Sequence, residues 1–154
     1  TKLNWDDIKR IRDWWGGKII LKGIMDPEDA KLAEKIGADA IVVSNHGGRQ
    51  LDGANSSISM LPEIKKNISK IEVLFDGGIR SGQDILKAIA LGADGVLIGR
   101  SYVYGLSAGG KNGVTKSLEI LNKELDMTMA LCGKNDINVI GRDIIKDCPF
   151  FEKN

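Results

Sequence analysis

The chain has 154 residues, 42% of them apolar, and a net charge of +1 with its single histidine neutral. That apolar fraction supports a globular core, and the near-zero charge removes the electrostatic case for nucleic acid or an anionic membrane as a partner. No apolar run reaches the roughly 20 residues of a membrane span. No signal peptide is visible, and Cys132 and Cys148 form no CxxC pair, so with one histidine no zinc centre is expected. Free thiols fit a reducing, cytosolic compartment. The length fits one domain or part of a larger one. A start at Thr1 rather than methionine, directly on a helix signal, fits a piece of something longer and equally a processed chain.

Asn4 caps a first helix, with Asp6 and Asp7 in its positive first turn. Ile8, Ile11 and Trp15 recur at helical spacing, so Trp14 and Trp15 are read as packing residues, and Gly16-Gly17 ends the helix. Residues 18–22 read as a strand. Asp26-Pro27-Glu28-Asp29 supplies a cap, a proline at the first helical position and two acids. Ala30, Leu32, Ala33 and Ile36 form the apolar face of that helix, and Gly37 stops it. A strand follows over 40–43, then a glycine-rich loop that contains His46.

Residues 61–68 read as a short helix with Pro62 near its start, and 72–75 as a third strand. Ser81 and Asp84 form a start resembling a capping box for a helix whose apolar face is Ile85, Leu86, Ile89 and Ala90. The fourth strand is 95–98. Residues 36–43 and 91–98 echo each other: a helix end, a Gly-Ala-Asp turn and an apolar strand. Strands this apolar, alternating with amphipathic helices, predict a parallel sheet with right-handed crossovers. The longest helix is expected over 114–131, striped by Val114, Leu118, Leu121, Leu125 and Met129, with a further short helix over 136–140. The tail from residue 150 is uninformative.

In such a sheet the carboxyl ends of all strands share one mouth. There the sequence delivers Lys22, the Ser44-Asn45-His46-Gly47-Gly48-Arg49 loop, the Asp76-Gly77-Gly78-Ile79-Arg80 loop and Gly99-Arg100. His46 can act as a general base near neutral pH, and the planar fork of Arg49 fits a carboxylate. A surface salt bridge, with Asp52 for instance, is the plainer role for Arg49. Lys22 ends an apolar strand, so its charge either meets an electron-rich ligand atom or is solvated. Glycine turns followed by helix N-termini and arginines bind phosphate, and two of them on the last strands match the phosphate position of a (βα)8 barrel. Taken singly, each turn is as well explained as a tight strand-to-helix connection.

These residues, together with Ile20-Leu21-Lys22-Gly23 and the stretch from Leu91 to Arg100, resemble the FMN-dependent α-hydroxy-acid dehydrogenase and oxidase family in order along nearly the whole chain. The resemblance implies an α/β fold: the C-terminal half of a TIM (βα)8 barrel, four parallel strands with helices plus C-terminal helices. Residues 1–154 would form a single partial domain. It implies FMN at the carboxyl mouth and oxidation of a small L-2-hydroxy acid of the lactate or glycolate type to the 2-oxo acid. His46 would be the catalytic base and Arg49 the substrate-carboxylate clamp. Lys22 and Ser44 would contact the flavin ring. Asp76, Gly77, Gly78 and Arg80 would meet the ribityl chain and phosphate, and Gly99 and Arg100 would complete the phosphate site. The location implied is cytoplasmic or peripheral at the inner membrane.

The family's first half supplies the rest of the flavin pocket, a substrate-binding tyrosine and the aspartate that orients the histidine. The expected partner is therefore an N-terminal half-barrel, or failing that a second copy of the chain. Two other readings stay open. One is a non-catalytic half-barrel that only pairs with its complement. The other is a different phosphate-binding barrel enzyme, which would leave the spacing of His46 and Arg49 unexplained.

Overall fold

The computed structural model describes residues 3–145. Its elements are α1 (Trp5–Trp15), β1 (Ile20–Ile24), α2 (Pro27–Lys35), β2 (Ala40–Val43), α3 (Ser57–Asn67), β3 (Glu72–Asp76), α4 (Gly82–Ala90), β4 (Gly95–Leu97) and α5 (Arg100–Leu131). Single 3₁₀ turns occupy His46–Gly48, Ile137–Val139 and Arg142–Ile144. The four strands are parallel and pair in chain order, β1-β2-β3-β4.

One face of this sheet carries Ile41, Val43, Val73 and Phe75, each at most 1% exposed. Ala30 and Ala33 of α2, Leu61 and Ile64 of α3 and Ala88 of α4 pack against them in one core. Strand residues alternate between faces, so Lys22, Val42, Ser44, Leu74 and Asp76 share the other face. That alternation separates a dry, helix-covered side from the side that carries the polar groups.

The caps form as the sequence predicts. Asn4 accepts the Asp6 and Asp7 amides, Asp26 accepts the Glu28 amide, and Ser81 with Asp84 closes a full capping box. Boundaries differ. β1 begins at Ile20, because Asp39 takes the Ile19 amide through its side chain. α3 starts four residues earlier than expected, capped by Ser56, which puts Pro62 inside the helix. The last helix begins at Arg100 and is two limbs meeting at Gly109-Gly110, where the dihedrals leave the helical region. A 3₁₀ turn replaces the short helix expected over 136–140.

The packing role given to the tryptophans is wrong. Trp14 is 80% and Trp15 67% exposed, and α1 buries no residue at all. Leu32 and Leu118 also lie at the surface. A helical stripe records which face is apolar. Whether another element covers that face is a tertiary matter, and nothing among the described residues covers this side of α1. Cys148 and the tail from residue 150 lie outside the described residues.

Candidate active site

A cleft of about 580 Å³ opens at the carboxyl ends of the strands. Lys22, His46, Arg49, Asp76, Gly77, Gly78, Arg80, Gly99 and Arg100 line it. Of the site residues expected from the sequence, only Ser44 is missing from the lining.

Ser44 lies beneath the floor, 1% exposed. Its hydroxyl accepts from Lys22 Nζ at 3.0 Å and from the His46 amide at 3.2 Å, and donates to Asp76 Oδ2 at 2.7 Å. One donor and two acceptor sites exhaust a hydroxyl. With these three bonds Ser44 organises the floor. The Lys22 ammonium also reaches Asp76 Oδ2 directly, at 2.8 Å. Partial burial pushes the Asp76 carboxyl up, but its hydrogen bonds from Lys22 and Ser44, with the positive charge of Lys22 and His46, outweigh that and leave it below the usual carboxylate value. Lys22 is thus neither unpartnered nor simply solvated.

His46 opens a 3₁₀ turn and is the one non-glycine residue with positive φ among those described, at +56°. Such a conformation costs on the order of 1–2 kcal/mol. Three bonds hold it: the Ser44 hydroxyl accepts the His46 amide, the Asn45 side chain accepts the Gly47 amide at 3.0 Å, and Arg49 Nε donates to the His46 carbonyl at 3.0 Å. Arg49 spends its Nε on closing this turn and lines the cleft. No ion pair to Asp52 forms, so the surface-bridge role fails.

The phosphate turns differ from each other. At the start of α4, Asp84 accepts the Arg80 and Ser81 amides at 3.0 Å each, and Glu124 of α5 accepts the Gly82 amide at 2.9 Å. Two carboxylates therefore occupy the amides that the sequence reading offered to phosphate. The start of α5, at Gly99, has no side-chain cap. Gly77 and Gly78 line the cleft. Among the described residues Arg49, Arg80 and Arg100 make no salt bridge to a carboxylate. Three guanidiniums without a carboxylate partner among the described residues form a donor set suited to a phosphate at one end and a carboxylate at the other.

Leu97, Tyr102 and Val103 also line the cleft, and the sequence reading missed them. They lie at the end of β4 and in the first turn of α5, which begins at Arg100 directly after Gly99. No helix among the described residues is long and apolar enough to cross a membrane.

The profile of the FMN-dependent dehydrogenase family matches residues 1–147. The chain belongs to this family. It is 51% identical over 146 residues to an L-lactate dehydrogenase of Caulobacter vibrioides, covering 94% of this chain and 38% of the relative. An L-lactate dehydrogenase of Pseudomonas aeruginosa is 50% identical over 142 residues, covering 92% of this chain and 37% of that one. Among solved structures, mandelate oxidase with benzoyl-formic acid superposes with a TM-score of 0.88 at 46% identity, over 91% of this chain and 42% of that one. The chain therefore spans about two fifths of the length of these family members. Its architecture is the C-terminal half of their barrel, and the family's cofactor is FMN.

Proposed function

We propose that the chain supplies the base, the carboxylate clamp and the phosphate site for FMN-dependent oxidation of a small L-2-hydroxy acid, of the lactate or glycolate type, to the 2-oxo acid. The supporting observation is one cleft that gathers a strained histidine, a Lys–Ser–Asp floor and three guanidiniums without a carboxylate partner among the described residues. Arg80, Arg100, the Gly77-Gly78 backbone and the uncapped start of α5 at Gly99 hold the FMN phosphate end. Asp76 meets the ribityl hydroxyls while keeping the Lys22 ammonium at the floor, where it favours negative charge on the ring. FMN, when bound, accepts the two electrons of the oxidation. The Nη pair of Arg49 clamps the substrate carboxylate, which brings C2 and its hydroxyl to His46. His46 takes up a proton released there.

Catalysis on this reading needs the other half of the barrel. Among the described residues the outer edges of β1 and β4 have no partner strand, and Ile20 on the β1 edge is 54% exposed. The complement is an N-terminal half-barrel that supplies four further strands. The protein works in the cytoplasm or peripherally at the inner membrane.

The decisive experiment combines the chain with the N-terminal portion of the Caulobacter vibrioides relative and follows flavin reduction by L-lactate and glycolate. Substitution of His46 by glutamine should slow reduction by two to four orders of magnitude. Near-normal rates would sink its role as base. The second reading, a half-barrel that pairs without catalysis, is favoured by the open edges. It predicts a complex that assembles but stays colourless.

A further inference from the structure

The imidazole of His46 makes no hydrogen bond through either ring nitrogen among the described residues. The bonds that hold His46 all act on its backbone or on the turn it opens. What places the ring is space. Gly23 has φ +96° and sits where the β1–β2 register breaks between Lys22 and Ile24. A Cβ at Gly23 would lie 2.7 Å from His46 Cε1, 3.5 Å from Nε2 and 3.7 Å from Nδ1, where ordinary contact begins at 3.4 Å. The ring thus rests with its Cε1 edge, the carbon between its two nitrogens, on a bulge that has no side chain.

We propose that Gly23 is a positioning residue: its bare backbone is the seat of the His46 ring and sets where the two ring nitrogens point. This rests on the reading of His46 as the base. It also means that a single strand end sets both the ammonium of Lys22 and the direction of the base. The three heavy atoms nearest an added Cβ at position 23 all belong to the His46 ring, so Gly23→Ala meets that ring first. Displacement of a reacting group by about 1 Å can cost on the order of 100-fold in rate, so Gly23→Ala should lower kcat by about that factor and move KM little.

The test uses the fact that the chain has one histidine. With ring-13C histidine in this chain and an unlabelled N-terminal half-barrel as its complement, the wild-type chain should show an NOE between the Cε1 proton and the Gly23 α-protons. In Gly23→Ala that cross-peak is lost and the ring signals move. Gly16→Ala is the control: φ there is also positive, at +63°, and nothing lies within 4 Å. Its φ lies close to the left-handed region that side chains tolerate, so it tests a positive-φ glycine without a neighbour and should leave the His46 signals in place. Absence of the NOE in the wild-type chain, or unmoved ring signals in Gly23→Ala, overturns the proposal. The NOE needs no mutant to fold and no bound flavin. It reports the seat whether or not His46 is the base, and the His46→Gln rates report the base whether or not Gly23 seats the ring.

Discussion

The Lys22 ammonium meets the Asp76 carboxylate at 2.8 Å across the width of the strand between them. β1 and β3 both pair with β2, so their axes are roughly 10 Å apart. The long lysine side chain spans that gap along the face opposite the helices, and Ser44 at the end of β2 bonds both partners. Three strands are thereby tied at the floor of the site.

The tie makes stability depend on pH. The Asp76 carboxyl is held below its ordinary value of 3.8, so its contribution is fully present above that value and is lost as the pH falls through the lowered one. Asp76→Asn should cost about 1 kcal/mol at neutral pH, since solvent screens a half-open pair, and should flatten the acid limb of the stability profile. Asp7, Glu34 and Asp143 are also lowered, chiefly by hydrogen bonds from the Asn4 amide, the Lys70 amide and the Lys134 side chain. The limb is therefore reduced and not abolished. Urea denaturation between pH 2.5 and 7 checks this, and parallel profiles for variant and wild type would contradict it.

Among the described residues Arg80 and Arg100 make no salt bridge to a carboxylate. Replacing either by alanine should weaken binding of FMN or inorganic phosphate by about 1.5–3 kcal/mol. Calorimetric titration measures the loss. A wild-type chain, alone or with its complement, that binds no phosphate at all would remove the proposed anion site.

Gly82 is a close contact of α4 with the second limb of α5. A Cβ there would collide with the Leu125 backbone and with Glu124, whose carboxylate accepts the Gly82 amide. Gly82→Ala should therefore cost about 1–3 kcal/mol through overpacking, and Glu124→Ala about 1 kcal/mol through the lost cap. Thermal denaturation separates both from wild type. A neutral Gly82→Ala would mean that the two helices are not in contact there.

The open sheet edges predict association. Apolar burial is worth roughly 25 cal/mol per Å², and an unpaired edge strand invites pairing. At micromolar concentration the chain should pair with an N-terminal half-barrel, pair with itself, or aggregate. Ile20→Lys, which charges the β1 edge, should reduce this. Light scattering that shows a stable monodisperse wild-type monomer would refute the prediction.

By itself the sequence determined the α/β class, the order of elements, most of the caps and the list of residues at the mouth. These are local signals: period-2 and period-3.6 patterns, a side chain that reaches its own helix start, and strand ends that must share one side of a parallel sheet. That Lys22, Ser44 and Asp76 share one sheet face depends on the register between strands, which only the folded chain shows. Tertiary structure alone decided who partners whom. Lys22 found Asp76, Ser44 went under the floor, and Glu124 took an amide more than 40 residues away in the chain. The exposure of Trp14 and Trp15, and the reach of α5 back to Arg100, were settled in the same way. Such outcomes depend on the distance between elements that are remote in sequence, and no local period carries that distance. The clearest case is Gly23: in the sequence it is a glycine after a lysine, and only the folded chain brings the His46 ring to rest on it.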